Sequence, residues 1–224
     1  MNIFLIRHGE SLAQSEGKHI HLEMADHAIP LSEKGHAQAH TAGLFLSNYL
    51  AQSDNEELRC ARKEFRLWLS PYKRTRETAD GLSFFLSSWV LDRREHVLLC
   101  EQQFGLFDGI FDEDLANKYP REYEHYDKCE RFEGRFWARM PLGESRFDVA
   151  QRVHQAFGTF QRDAEKHDIR NLIVVCHGVT LRAFVMMWCH KTPEWFEGQM
   201  NPPNCAIRYI EGQYDRGYIY EGSE

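Results

Sequence analysis

The strongest constraint on the fold is a set of short β-type runs, each followed by polar or helix-like sequence. They are IFLI (3–6), RLWL (66–69), HVLLC (96–100), LIVVC (172–176) and AIRYIEG (206–212). Several are continuously apolar rather than alternating, which is the pattern of strands buried on both faces, and the segments between them read as helices. The expectation is an α/β protein with a mostly parallel sheet covered on both sides. Ser32 is placed to cap a helix that runs through Ala37, Ala39, Leu44, Phe45 and Leu46 at helical spacing. Further helices are expected over 75–86, 147–160 and 179–188. The last is hydrophobic nearly all round, as a buried helix is.

A chain of 224 residues suits one α/β domain spanning 1–224 with an insertion. Residues 104–143, dense in aromatics and charges, are expected to form that inserted lid subdomain. The net charge of −7 argues against a general nucleic-acid binder, whose footprint is basic. Six cysteines without CxxC spacing read as reduced thiols, and no run approaches the roughly 18 apolar residues of a membrane span. With no signal peptide legible, a cytoplasmic protein without membrane or nucleic-acid partners is expected, and a homodimer is left open.

The chemistry sits after the strands. IFLI leads into Arg7-His8-Gly9-Glu10-Ser11, RLWL into Ser70-Pro71-Tyr72-Lys73-Arg74, HVLLC into Glu101, and LIVVC into His177-Gly178. Ligands of open α/β sheets bind at the carboxyl ends of strands, so these groups are expected to converge. Two guanidiniums can grip a phosphoryl group, and helix starts after Gly9 and Gly178 can add N–H donors. A neutral imidazole can attack phosphorus, a second, charged imidazole can stabilise the spreading charge, and a carboxyl group can move the proton. No metal or other cofactor is required.

RHGES, SPYKRTRETA, EQQFG, PLGES and VCHGVTLRA, in this order from residue 3 to about 207, together resemble the histidine phosphatase superfamily, which includes phosphoglycerate mutase-like enzymes. The resemblance implies a three-layer αβα sandwich with a mostly parallel central sheet. It also implies His8 as nucleophile, Arg7, Arg74 and His177 as phosphate ligands, and Glu101 as proton donor. Gln14 stands where the mutases carry an asparagine, and EQQFG replaces their Glu-Arg-His-Tyr-Gly, removing cations that a bisphosphorylated intermediate needs.

The expected function is therefore hydrolysis of a small phosphomonoester through phosphohistidine, with no metal site. A mutase-type phosphoryl transfer and a phosphate-recognising module with little turnover are the alternatives. Asp108 competes with Glu101 for the acid role, and Glu144 is expected beside the site arginines. Arg76 is read as a solvated or ion-paired helix residue, and KHIHLEMADH as a polar loop at the pocket rim rather than a zinc site. The aromatics of the insertion, Phe104, Phe107, Tyr119, Tyr126 and Trp137, either pack it or line its mouth.

Overall fold

A computed structural model describes residues 1–17 and 19–222, with Leu22 described by its backbone alone. Among the described residues, six strands form one sheet: β1 (Asn2–Arg7), β2 (Phe65–Leu69), β3 (Val90–Glu95), β4 (Asn171–Cys176), β5 (Ile207–Glu211) and β6 (Tyr214–Tyr220). Their order is β3-β2-β4-β1-β5-β6. The pairs β1·β4, β2·β4 and β2·β3 are parallel, while β5 and β6 extend the sheet antiparallel beyond β1.

The helices, in chain order, are α1 (Leu12–Ser15), α2 (Ile20–Glu23), α3 (Glu33–Ala51), α4 (Glu56–Cys60), α5 (Lys73–Leu86), α6 (Asp112–Lys118), α7 (Pro120–Glu133), α8 (Arg146–His167), α9 (Gly178–Trp188) and α10 (Pro193–Gly198). Ser32 caps α3 as expected, its hydroxyl accepting from Gly35 N at 3.0 Å.

Successive side chains of a strand point to opposite faces, and the core divides accordingly. Ile3 and Leu5 of β1 pack with α8 and α9, while Phe4 and Ile6 pack with α3, α4 and α5. This is the expected three-layer αβα arrangement. All of α9 from Gly178 to Met186 is buried, as its uniform hydrophobicity predicts. Residues of the 104–143 stretch contribute α6 and α7, held by a separate small cluster of Phe107, Ile110, Leu115, Tyr126 and Ala138. Among the described residues, no helix is long and apolar enough to cross a membrane. All six cysteines are free, with Cys176 and Cys205 buried.

One expected strand is absent. HVLLC forms a short 3-10 turn at Val97–Leu99, and the strand lies earlier, at Val90–Glu95. That segment, VLDRRE, is a sheet edge carrying charges on its open side. Charged edges discourage sheet-to-sheet pairing, so an edge strand need not be apolar. The opposite edge, β6, is mixed: Asp215, Arg216 and Gly217 interrupt it, while Ile219 and Tyr220 pack against the core.

Candidate active site

Three adjacent parallel strands set the site. Arg7 at the end of β1 lies opposite Cys176 at the end of β4, and Leu69 of β2 lies opposite Val175. The ladder continues one step further, with His8 N donating to Cys176 O at 3.0 Å and Ser70 N to Val175 O at 3.1 Å. His8, His177 and Ser70, each the first residue past its strand, are thereby brought side by side. The two imidazole centroids are 5.2 Å apart at 65°, and Tyr72 closes over His177 at 5.0 Å.

His8 Nδ1 lies 2.7 Å from Gly9 O. A carbonyl oxygen only accepts, so Nδ1 carries the proton and Nε2 keeps its lone pair when the ring is neutral. Burial, then the charges of Arg74 and Arg7, push the His8 pKa well below its ordinary value and hold the ring neutral. His177 is also fully buried, its Nε2 2.9 Å from Ser70 Oγ. Its pKa is likewise driven well down, by burial first and then by Arg74, His8, Arg152 and Arg7. Burial among cations thus works against the standing charge expected on this second histidine and favours its neutral form.

Glu101 follows the 3-10 turn rather than ending a strand, correcting the expectation. Its carboxylate accepts from Gln102 N at 3.0 Å, Thr180 N and Thr180 Oγ1 at 3.3 Å, and Val179 N at 3.4 Å. The first N–H groups of α9, expected to serve a phosphate, are spent on Glu101. Gly178 itself is buried and does not line the cleft: Asn201 Oδ1 lies 2.9 Å from where a Cβ would stand, so the glycine serves packing. The loop after His8 is similar. Gly9 N donates to Thr78 Oγ1, Glu10 N to Gln38 Oε1 and Ser11 N to Gln14 Oε1, which leaves the expected donors after Gly9 committed to the protein. Gly9 and Gly35 are obligatory there, since a Cβ on Gly35 would lie 2.0 Å from Glu10 O.

The guanidiniums differ from each other. Arg7 is partly buried, its Nη1 donating to Pro202 O, and its buried Nε has no hydrogen-bond partner among the described residues. Arg74, also buried, is clamped by Asp26: Nη1 donates to the Asp26 carbonyl at 2.7 Å and to Oδ1 at 2.9 Å, and Nη2 to Oδ2 at 3.2 Å. Asp26 in turn faces His21, at 4.0 Å, which also faces Asp108 at 3.6 Å. Asp108 stays 40% exposed, and partial desolvation, opposed by His21 and reinforced by the Asp26 charge, raises its carboxyl pKa from the ordinary value.

KHIHLEMADH, whose Lys18 lies outside the described residues, does reach the cleft wall through His21 and Asp26, though as α2 and a 3-10 turn rather than a loop. Gln14 lines the cleft as well, its amide exchanging hydrogen bonds with Asn204. The cleft, about 830 Å³, extends from His8, Arg7, Arg74 and Glu101 out under α6 and α7.

Two further expectations meet the structure differently. Arg76 pairs with Glu95 at 2.7 Å on the surface, as read. Glu144 does not approach Arg7 or Arg74; it binds Arg152 at 2.8 Å. Arg152 also donates to Leu98 O and Cys100 O at 2.8 Å and to Glu101 O at 3.0 Å, tying down the turn that presents Glu101. Sequence reasoning passed over Arg152. Its signal is a charged residue set among Val149, Val153 and Ala156 on the apolar stripe of a helix.

The match to known proteins follows this geometry. The model of the histidine phosphatase superfamily (branch 1) matches residues 3–221. Phosphoglycerate mutase-like protein AT74 of Arabidopsis thaliana is 34% identical over 93% of this chain, which spans 64% of that protein's length. AT74H of the same organism is also 34% identical, over 93% of this chain and 73% of its own. Among solved structures, the alpha-ribazole phosphatase from Shigella flexneri superposes with a TM-score of 0.69 over all of this chain and 96% of its own. At 20% identity, that likeness concerns the fold.

Proposed function

The chain belongs to branch 1 of the histidine phosphatase superfamily, and from that premise we propose that it hydrolyses a phosphomonoester through a covalent phosphohistidine on His8. The observation that carries the reading is the tautomer of His8. Its Nδ1–H is spent on Gly9 O, so an unprotonated Nε2 remains beside Arg7 and Arg74 at one end of a cleft.

The scheme has two steps. The Nε2 lone pair forms a bond to phosphorus while the bond from phosphorus to the ester oxygen breaks, and Glu101, entering the step as the carboxylic acid, gives that oxygen its proton and becomes the carboxylate. Water then attacks the phosphohistidine, Glu101 takes the water's proton, and the nitrogen–phosphorus bond breaks to return neutral His8. Arg7 and Arg74 hold the phosphoryl oxygens, for which Arg74 exchanges the Asp26 carboxylate for the substrate. A dianion arriving between the guanidiniums raises the pKa of His177, which gains a proton and becomes a donor to the developing charge. Gln14 orients the outer edge of the substrate. The scheme uses side chains only.

The resemblance to proteins named phosphoglycerate mutase-like keeps phosphoryl transfer to a second hydroxyl as the other reading. The test uses p-nitrophenyl phosphate. His8→Ala is expected to abolish hydrolysis and the acid-labile phosphoenzyme, while chelator leaves the wild type unaffected. Full activity in that variant overturns the scheme. Isomerisation of 3-phosphoglycerate, primed by the bisphosphate, faster than phosphate release makes the mutase reading the better one.

A further inference from the structure

The cleft is far larger than a phosphoryl group and changes character along its length. Near His8 it is cationic; under α6 and α7 its wall is Phe104, Phe107, Phe111, Leu115, Tyr126 and Met140. Tyr119 and Trp137, by contrast, do not line it. Tyr119 packs into the small cluster beneath α6 and α7, and Trp137 packs against Phe136 and Phe147. The charged side chains of this outer part are Asp108, Asp112 and Glu130, with Arg135 as its one guanidinium among the described lining residues. Arg135 lies 3.5 Å from Glu130, so this part of the cleft sets three carboxylates against one guanidinium. The other arginines of the insertion, Arg121, Arg131 and Arg139, lie outside the lining, and Arg131 and Arg139 pair with Asp127 and Asp148.

We infer, on the phosphatase reading above, that the substrate is a monophosphate ester of a bulky, largely apolar or aromatic alcohol that carries no second anionic group. An aromatic wall rewards apolar surface removed from water. Three carboxylates against one guanidinium leave this part of the cleft net negative, which repels a second phosphate or a carboxylate placed in the same space. A volume of about 830 Å³ falls in the range that encloses ligands of several rings. The phosphate end sets the chemistry, and the outer wall selects the alcohol.

The experiment compares esters whose leaving alcohols have similar acidity: 2-phenylethyl phosphate, glycerol 3-phosphate and 3-phosphoglycerate, read as kcat/KM for phosphate release. The phenylethyl ester is expected to exceed glycerol 3-phosphate by roughly thirtyfold, and 3-phosphoglycerate by more, since one apolar increment in a fitted pocket is worth about 10–200-fold. Asp112 is exposed in the first turn of α6, so Asp112→Lys leaves the core intact and is expected to raise 3-phosphoglycerate relative to the phenylethyl ester about tenfold, as one unit charge is reversed. Phe107→Leu, which keeps the site packed, is expected to lower the phenylethyl preference alone. Equal or reversed preference among hydrolysed esters overturns the inference and leaves the phosphatase reading standing. Phosphate release from none of them overturns both.

Discussion

Replacing Arg152 by Met removes a guanidinium that donates to Leu98 O, Cys100 O and Glu101 O and forks onto both oxygens of Glu144. Arg152 and Glu144 are 15% and 21% exposed, so the variant leaves a carboxylate and three carbonyls poorly solvated. Stranding one member of a buried pair costs about 3–5 kcal/mol, and partial exposure brings this to about 3 kcal/mol here. In a chain of this size that lowers Tm by roughly 6–12 °C. Thermal unfolding measures it.

The same loss frees the turn before Glu101, so kcat is expected to fall about tenfold or more while KM changes little, because Arg152 positions the proton donor and touches no substrate. Arg152→Lys recovers little of this, since an ammonium cannot reproduce the planar fork. Adding Glu144→Gln removes the stranded charge, so the double variant is expected to be more stable than the sum of the single effects by about 1 kcal/mol. A Tm within 2 °C of wild type, or strict additivity in the double variant, refutes the reasoning.

Two other outcomes follow from the same geometry. Asp26→Ala frees the Arg74 side chain from its carboxylate clamp and is expected to tighten inhibition by orthophosphate about three- to tenfold, measured as Ki against p-nitrophenyl phosphate; an unchanged or weaker Ki shows that the clamp does not compete with phosphate. The second concerns pH. His8 and His177 have folded pKa values depressed well below the ordinary value of 6.5, so below that pH the unfolded chain binds more protons than the folded one. Stability is thus fully present above about pH 6.5 and lost as pH falls, with a slope of at most about 1.4 kcal/mol per unit for each histidine. His96, pushed down by burial, adds to it. Denaturant unfolding in phosphate-free buffer between pH 7 and 5.5 should give a slope flatter by roughly a third in His8→Asn, and an identical slope refutes the assignment.

Much of the architecture was legible because the central strands are buried on both faces and must be apolar. IFLI, RLWL, LIVVC and the segment at 207–211 were recognisable from that alone, as were α3, α5, α8 and α9 from caps and spacing. The two strands that were missed, β3 and β6, are the two edges of the sheet. Four of the six residues of β3 are charged, and Asp215, Arg216 and Gly217 break up β6, so neither offers a continuous apolar run like LIVVC. HVLLC misled for the converse reason: Leu99 is wholly buried, but from a 3-10 turn rather than a strand.

The amino-acid order therefore determined which side chains stand at the strand ends: Arg7 and His8, Ser70, and His177. Burial of alternate strand residues against helices requires a particular sheet, and the sheet aligns its ends. What each of those side chains touches was decided only by the tertiary structure. Arg74 meets Asp26 across 48 positions of chain, Glu144 meets Arg152 instead of the site arginines, and α9 gives its first N–H groups to Glu101, which precedes it by nearly eighty residues. Such pairings depend on where loops and helix ends come to lie within a few ångströms of one another. Hydrogen bonds and ion pairs are short-ranged and directional, and local sequence pattern carries no record of that distance.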